Sequence, residues 1–290
     1  MVAADTGGGS AAPLDAARLR AAVRGYPSAA GGAGTIWTDI RVVGATESTN
    51  TDVMRQASAG AAEGLVLAAE SQTAGKGRLG RIWQTRPGAA LTFSALLRPA
   101  AVPQAARGWL PLLAGVAVVG ALAEVTGLDA GLKWPNDVLA GDGKLAGILA
   151  EQAGGAIVVG IGINVLGAEH DLPVASATSL ERCGLGDTDR TALLAAILRQ
   201  LERWYLRWRE AGPGDAEAAG LHKEYVSLSA TIGRHVRVQL PGDRLLAGIA
   251  TGVDGCGQLL VEPDAGAGSA AASAVAVSAG DVIHVRGAVP

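Results

Sequence analysis

Gln72-Thr73-Ala74-Gly75-Lys76-Gly77-Arg78-Leu79-Gly80-Arg81 interleaves three glycines with three cations, and no Asp or Glu lies between Glu70 and Glu124. Glycines open backbone conformations closed to other residues, and successive N–H groups in such a loop make an anion-binding concavity. The loop therefore reads as a cradle for a carboxylate or phosphate. Gly75-x-Gly77-x-x-Gly80 also fits the dinucleotide-binding spacing, and a strand-like run, Leu65–Ala69, precedes it. That pattern requires a helix opening at the glycines and an acid about 20 residues on. Here Pro87-Gly88 interrupts any helix, and 95–110 contains no Asp or Glu. No Gly-Lys-Ser/Thr phosphate loop occurs either, so both nucleotide fingerprints fail.

The rest of the composition narrows the class. A chain of 290 residues with 49% hydrophobic content suits one large domain plus a small one. A net charge of −3 argues against a nucleic-acid or membrane surface. Cys183 and Cys256 lie far apart, and His170, His222, His235 and His284 lack metal-site spacing, which fits a reducing cytoplasm. Residues 1–12 contain no Lys or Arg and are expected to be a disordered tail, not a signal peptide. The uncharged stretch 108–123 carries Pro111, Gly115 and Gly120 and is short for a membrane span, so a buried helix is expected. Only four of 24 basic residues are lysines, and Lys76, Lys133 and Lys144 fall inside glycine- or proline-marked motifs while Lys223 does not.

Patterning predicts a helix over 13–23, a connector at 28–34, a helix over 51–59, and strands at 65–69 and 91–97. A helix over 111–125 and strands at 148–149 and 156–165 follow. The apolar face Leu194, Ile197, Leu198, Leu201, Trp204, Tyr205 and Trp208 predicts a core helix over 188–209, capped at Asp187/Thr188. After Ser229, Val236, Val238 and Leu240 alternate with polar residues, 241–243 reads as a turn, and roughly five short strands predict a small β-barrel. Its segment 264–273 is low-complexity Gly/Ala/Ser.

Three further polar islands interrupt apolar surroundings. Ser48-Thr49-Asn50 follows a short strand and is either a helix cap or a ligand-facing set. Lys133-Trp134-Pro135-Asn136-Asp137 precedes Gly143-Lys144-Leu145-Ala146-Gly147-Ile148-Leu149, placing two lysines beside strand-like runs. Gly160-Ile161-Gly162-Ile163-Asn164 puts two glycines in an apolar strand, where a ligand's close approach is a common cause.

In this order and spacing, the motifs resemble the biotin protein ligases of the BirA type, over roughly 13–286 and including Ala279–Arg286. The resemblance implies an α+β fold: a class II synthetase-like mixed sheet with helices at 13–227, then an SH3-like barrel at 228–290. It implies that biotin and MgATP form biotinyl-5′-AMP, which acylates a lysine of a biotin carboxyl carrier domain. By similarity Ser48, Thr49, Asn50 and Gln72 face biotin, with Lys76, Gly77, Arg78 and Lys144 around its carboxylate. Lys144 and Arg78 are the expected catalytic pair. Gly75, Arg81, Trp83, Lys133, Asn136, Asp137 and Asn164 are expected on the ATP side, and the Mg2+ ligands stay unassigned. Lys76 departs from the family, which usually has Arg there, and loses the planar fork.

Family members that repress transcription carry an N-terminal DNA-binding domain, which the glycine-rich 36 residues before Trp37 do not match. The expectation is a cytoplasmic enzyme with no DNA or membrane partner, and homodimer formation stays open. Two rivals remain: a lipoate or octanoate ligase of the same fold, and a biotin-responsive DNA-binding regulator.

Overall fold

The computed structural model describes residues 11–25, 35–83, 85–167, 176–240, 242, 244–264, 273–278 and 280–284. Most of the expected tail, the connector at 28–34, His170, most of the turn at 241–243, most of 264–273 and Val285-Arg286 lie outside them.

Seven strands form the first sheet: β1 (Asp39–Val43), β2 (Leu65–Ala69), β3 (Ala90–Leu97), β4 (Gly131–Lys133), β5 (Asp137–Ala140), β6 (Gly143–Ala153) and β7 (Ala156–Asn164). Their spatial order is β1-β2-β3-β7-β6-β5-β4. Only β1 and β2 run parallel; every other neighbouring pair is antiparallel. The parallel pair needs a crossover, which α2 (Thr49–Ser58) supplies.

Helices cover both faces, so β2, β3 and β7 are buried at every position. Along β2, Val66 and Ala68 face the main core, while Leu65 and Leu67 face a smaller one beneath Val53 and Ala57 of α2. The main core packs α1 (Ala16–Arg24), α3 (Trp109–Thr126) and α4 (Arg190–Glu210) against the sheet. α3 is long and apolar enough to cross a membrane by length and composition. It lies against α4 and the sheet and buries twelve of its residues, which matches the buried helix expected there.

α4 starts two residues later than expected. Its cap is Asp189, whose carboxylate accepts from Thr191 N and Ala192 N, rather than Asp187 or Thr188. Trp204, Tyr205 and Trp208 are buried on its apolar face as the pattern predicts. β6 also runs well beyond the expected 148–149 pair, carrying Lys144 inside the strand.

After α5 (Leu221–Leu228), β8 (His235–Leu240), β9 (Arg244–Val253), β10 (Leu259–Pro263), β11 (Val275–Val277) and β12 (Asp281–His284) form an antiparallel sheet, ordered β11-β10-β9-β8-β12. The five strands agree with the small β unit read from the sequence. Val236, Val238, Ala250, Leu259 and Val261 join the same hydrophobic core as the first sheet. Trp134 Nε1 donates to Gly257 O at 3.1 Å and Trp109 Nε1 to Gly255 O at 3.1 Å, so two indoles anchor one turn.

Candidate active site

A cavity of about 420 Å3 opens over β3, β6 and β7, between the glycine loop and the 133–137 loop, with Val282 and Ile283 of β12 at its edge. All the residues expected to face a ligand line it except Gly75, which borders the adjoining 590 Å3 space beneath the loop.

One end is polar and uncharged. α2 begins at Thr49, with Ser48 as its cap, its hydroxyl accepting from Thr51 N at 3.5 Å. Capping and lining the cavity are thus both roles of Ser48, and the two readings of this tripeptide do not compete. Thr49 N donates to Gln72 Oε1 at 2.8 Å, and Gln72 Nε2 lies over Gly75, where a Cβ would stand 2.8 Å from it. The Thr49 hydroxyl lies 2.8 Å from Ser94 Oγ and 3.1 Å from Gln72 Oε1. Ser94 donates to Asn50 Oδ1 at 2.6 Å, and Asn50 Nδ2 donates to Glu151 Oε2 at 2.8 Å and Leu149 O at 3.3 Å. The Asn50 amide is therefore engaged at both ends by protein groups.

The other end is cationic. Lys76, Arg78, Arg81, Lys133 and Lys144 line it, and Asp137 is the only carboxylate among the described lining residues. Lys144 Nζ pairs with Asp137 Oδ1 at 2.6 Å. Arg78 Nη1 donates to Asn136 Oδ1 at 3.0 Å, while Asn136 Nδ2 donates to Ile148 O at 3.0 Å, so one side chain ties the loop to β6. Burial lowers the pKa of Arg78, with Asp137 opposing and Arg81 adding to the shift. Burial also lowers that of Lys133, and Lys144 and Arg81 push the same way against Asp137. These cations repel one another in a partly dry site, and an entering polyanion relieves that repulsion.

The glycine loop is a small hairpin. Gly77 N donates to Arg81 O at 2.7 Å and Trp83 N to Gly75 O at 2.8 Å, closing a turn whose Leu79 sits at φ 56°. Gly77 N is thereby engaged within the loop itself. The indole of Trp83 lies across β6 and β7, where a Cβ on Gly162 would stand 2.6 Å from the ring. A Cβ on Gly160 would stand 2.1 Å from Asn50 Oδ1. The two strand glycines thus make room for protein side chains, which themselves form the cavity floor. Asn164 Nδ2 donates to Thr178 O at 2.9 Å and holds the segment 176–180 against Lys144, whose N donates to Ser176 O at 2.7 Å.

Sequence reading missed Ser94, Glu151, Ser176 and the β12 rim. Ser94 had a usable signal, since a hydroxyl inside the run 90–97, polar otherwise only at Thr92, needs a partner. Val282 and Ile283 had none, because only the tertiary fold brings them here. No group of three or more His, Cys, Asp or Glu that could hold a metal ion occurs among the described residues.

The model of the Biotin/lipoate A/B protein ligase family matches residues 42–167, and that of the Biotin protein ligase C terminal domain matches 231–285. The biotin--[acetyl-CoA-carboxylase] ligase of Mycobacterium tuberculosis is 43% identical, over 88% of this chain and 92% of that protein. The bifunctional ligase/repressor BirA of Bacillus subtilis is 33% identical, over 76% of this chain and 68% of its own length. The solved structure of biotin protein ligase from Aquifex aeolicus in complex with biotin and ATP superposes with a TM-score of 0.69 at 27% identity, covering 86% of this chain and 99% of that one.

Proposed function

The chain belongs to the biotin/lipoate A/B protein ligase family, and on that premise we propose how its cavity carries out biotin protein ligation. Biotin's carboxylate attacks the α-phosphorus of MgATP; a C–O–P bond forms, the α–β P–O bond breaks and pyrophosphate leaves. The ε-amine of one lysine on a biotin carboxyl carrier domain then attacks the acyl carbon, and AMP departs. We place this reaction in the cytoplasm.

The observation that carries this reading is one cavity with an uncharged hydrogen-bonding end and a five-cation end. The Thr49 hydroxyl has a single proton, taken by Ser94 or Gln72, so its lone pairs accept from a ligand. The Gln72 amide nitrogen donates. A cyclic urea has both N–H and C=O groups to match, whereas a lipoyl ring offers neither and would leave these groups unpaired. Biotin therefore lies with its ureido ring against Ser48, Thr49 and Gln72 and its carboxylate toward Lys144.

Two anions must meet in the first step, and Arg78, Lys76, Arg81 and Lys133 offset their repulsion. Lys144 bridges the attacking carboxylate and the α-phosphate, and Asp137 holds its ammonium in position beforehand. Trp83, Asn136 and Asn164 frame the nucleotide side. With one carboxylate among the described lining residues, Mg2+ fits as an ion carried in on the ATP phosphates, with Asp137 an acidic neighbour. Pyrophosphate release tests the reading: release with biotin and none with lipoate supports it, and the reverse preference sinks it.

A further inference from the structure

The hydrogen-bond chain behind Thr49 ends on a group outside every motif in the sequence. Glu151 lies on β6, paired with Val158 of β7, and accepts from Asn50 Nδ2 at 2.8 Å. An ionised carboxylate accepts and never donates, and Leu149 O beside it is also acceptor-only. Turning the Asn50 amide over would set oxygen against two oxygens, so Glu151 fixes Oδ1 toward Ser94. Gly160 leaves the space that admits the amide in this pose. Ser94, fully buried on β3, must then donate to Asn50 and can only accept from the Thr49 hydroxyl. Each step fixes the next, from β6 through α2 and β3 to the cavity wall.

On the reading of the cavity as a biotin site, we infer that Glu151 is a positioning residue. Through Asn50 and Ser94 it keeps Ser94 from donating to Thr49, so that both lone pairs of the Thr49 hydroxyl stay open to the ligand's N–H, without touching the ligand. Removing the carboxylate leaves only the longer bond to Leu149 O to orient the Asn50 amide, and so loosens the direction of both hydroxyls. The loss is selective: the acyl and nucleotide ends meet other residues and keep their contacts.

The test is calorimetric binding of biotin, and separately of MgATP, to the full chain and its variants. Glu151→Ala should weaken biotin about tenfold, the scale of one lost hydrogen bond in a buried site, while MgATP affinity stays within about twofold. Glu151→Gln, which still offers an oxygen to Asn50, should recover most of the loss. In a Thr49→Ala background, Glu151→Ala should change biotin affinity by less than about twofold, because the group it acts through is gone. Biotin affinity unchanged in Glu151→Ala overturns the inference, as does a loss that is additive with Thr49→Ala or shared equally by MgATP. A wild-type chain that binds no biotin overturns the ligase reading along with it.

Discussion

Lys144 has the most demanding position in the cavity, held by Asp137 at 2.6 Å and packed over Gly147 beside the Trp83 ring. Lys144→Ala should cut biotin-dependent pyrophosphate release by at least about a hundredfold, the cost of losing one well-placed charge stabiliser; near-normal release would remove it from the reaction. Arg78 is tied to Asn136 and so to β6, and the proposed function casts it as a clasp over the intermediate. Arg78→Gly should let biotinyl-5′-AMP escape and label bystander lysines, read as background biotin on an added non-carrier protein; unchanged background would refute the clasp. Residues at this scale were legible where composition made them conspicuous. Three of the chain's four lysines stood in marked motifs, and all three line the cavity. Asn50 was legible as polar but not as internally satisfied, since its partners Ser94 and Glu151 are 44 and 101 residues away.

Elements were legible wherever burial imposes a period, and their ends less so. The apolar face of α4 was plain, but its start was not, because Asp187, Thr188 and Asp189 are all good caps and only the fold decides which carboxylate meets free N–H groups. Asp189 also bonds Arg18 of α1, so it joins two helices. Burial raises its pKa, but the bonds from Arg18, Ala192 and Thr191 outweigh that and leave it below the usual value. A depressed carboxylate stabilises above its unfolded pKa and loses that contribution as pH falls through the folded one. Asp189→Ala should therefore cost about 1 kcal/mol at neutral pH, and the gap to wild type should close below about pH 3.9, checked by urea unfolding at both. The strand glycines show the opposite limit. Their presence in β7 signalled a close approach, but Gly160 and Gly162 receive Asn50 and Trp83, whose arrival no local pattern announces.

Across the whole molecule, the two sheets share one core and meet beside the cationic end of the cavity. His284 of β12 sits at that junction, its Nε2 3.0 Å from Thr231 Oγ1. Burial, with help from Lys133 and Arg234 against Asp142, pushes its pKa down to about 4. The unfolded chain takes up this proton near pH 6.5 and the folded chain only near 4, so stability falls as pH drops through that window. After allowance for solvent screening of a half-buried group, the loss by pH 5 is roughly 1 kcal/mol, or about 3 °C in Tm. His284→Gln should flatten the Tm change between pH 7 and 5, and an equal slope in both proteins would contradict this. The order of motifs made the α+β architecture readable in advance, and the alternation of apolar residues after Ser229 the five-strand unit. The β12 rim at the cavity was not, because it depends on how the two sheets dock. The most direct measurement incubates the chain with biotin, MgATP and a biotin carboxyl carrier domain and scores the carrier by mass spectrometry. One biotin on one carrier lysine, dependent on ATP and not replaced by lipoate, is the predicted result; an unmodified carrier, or equal transfer of lipoate, would contradict it.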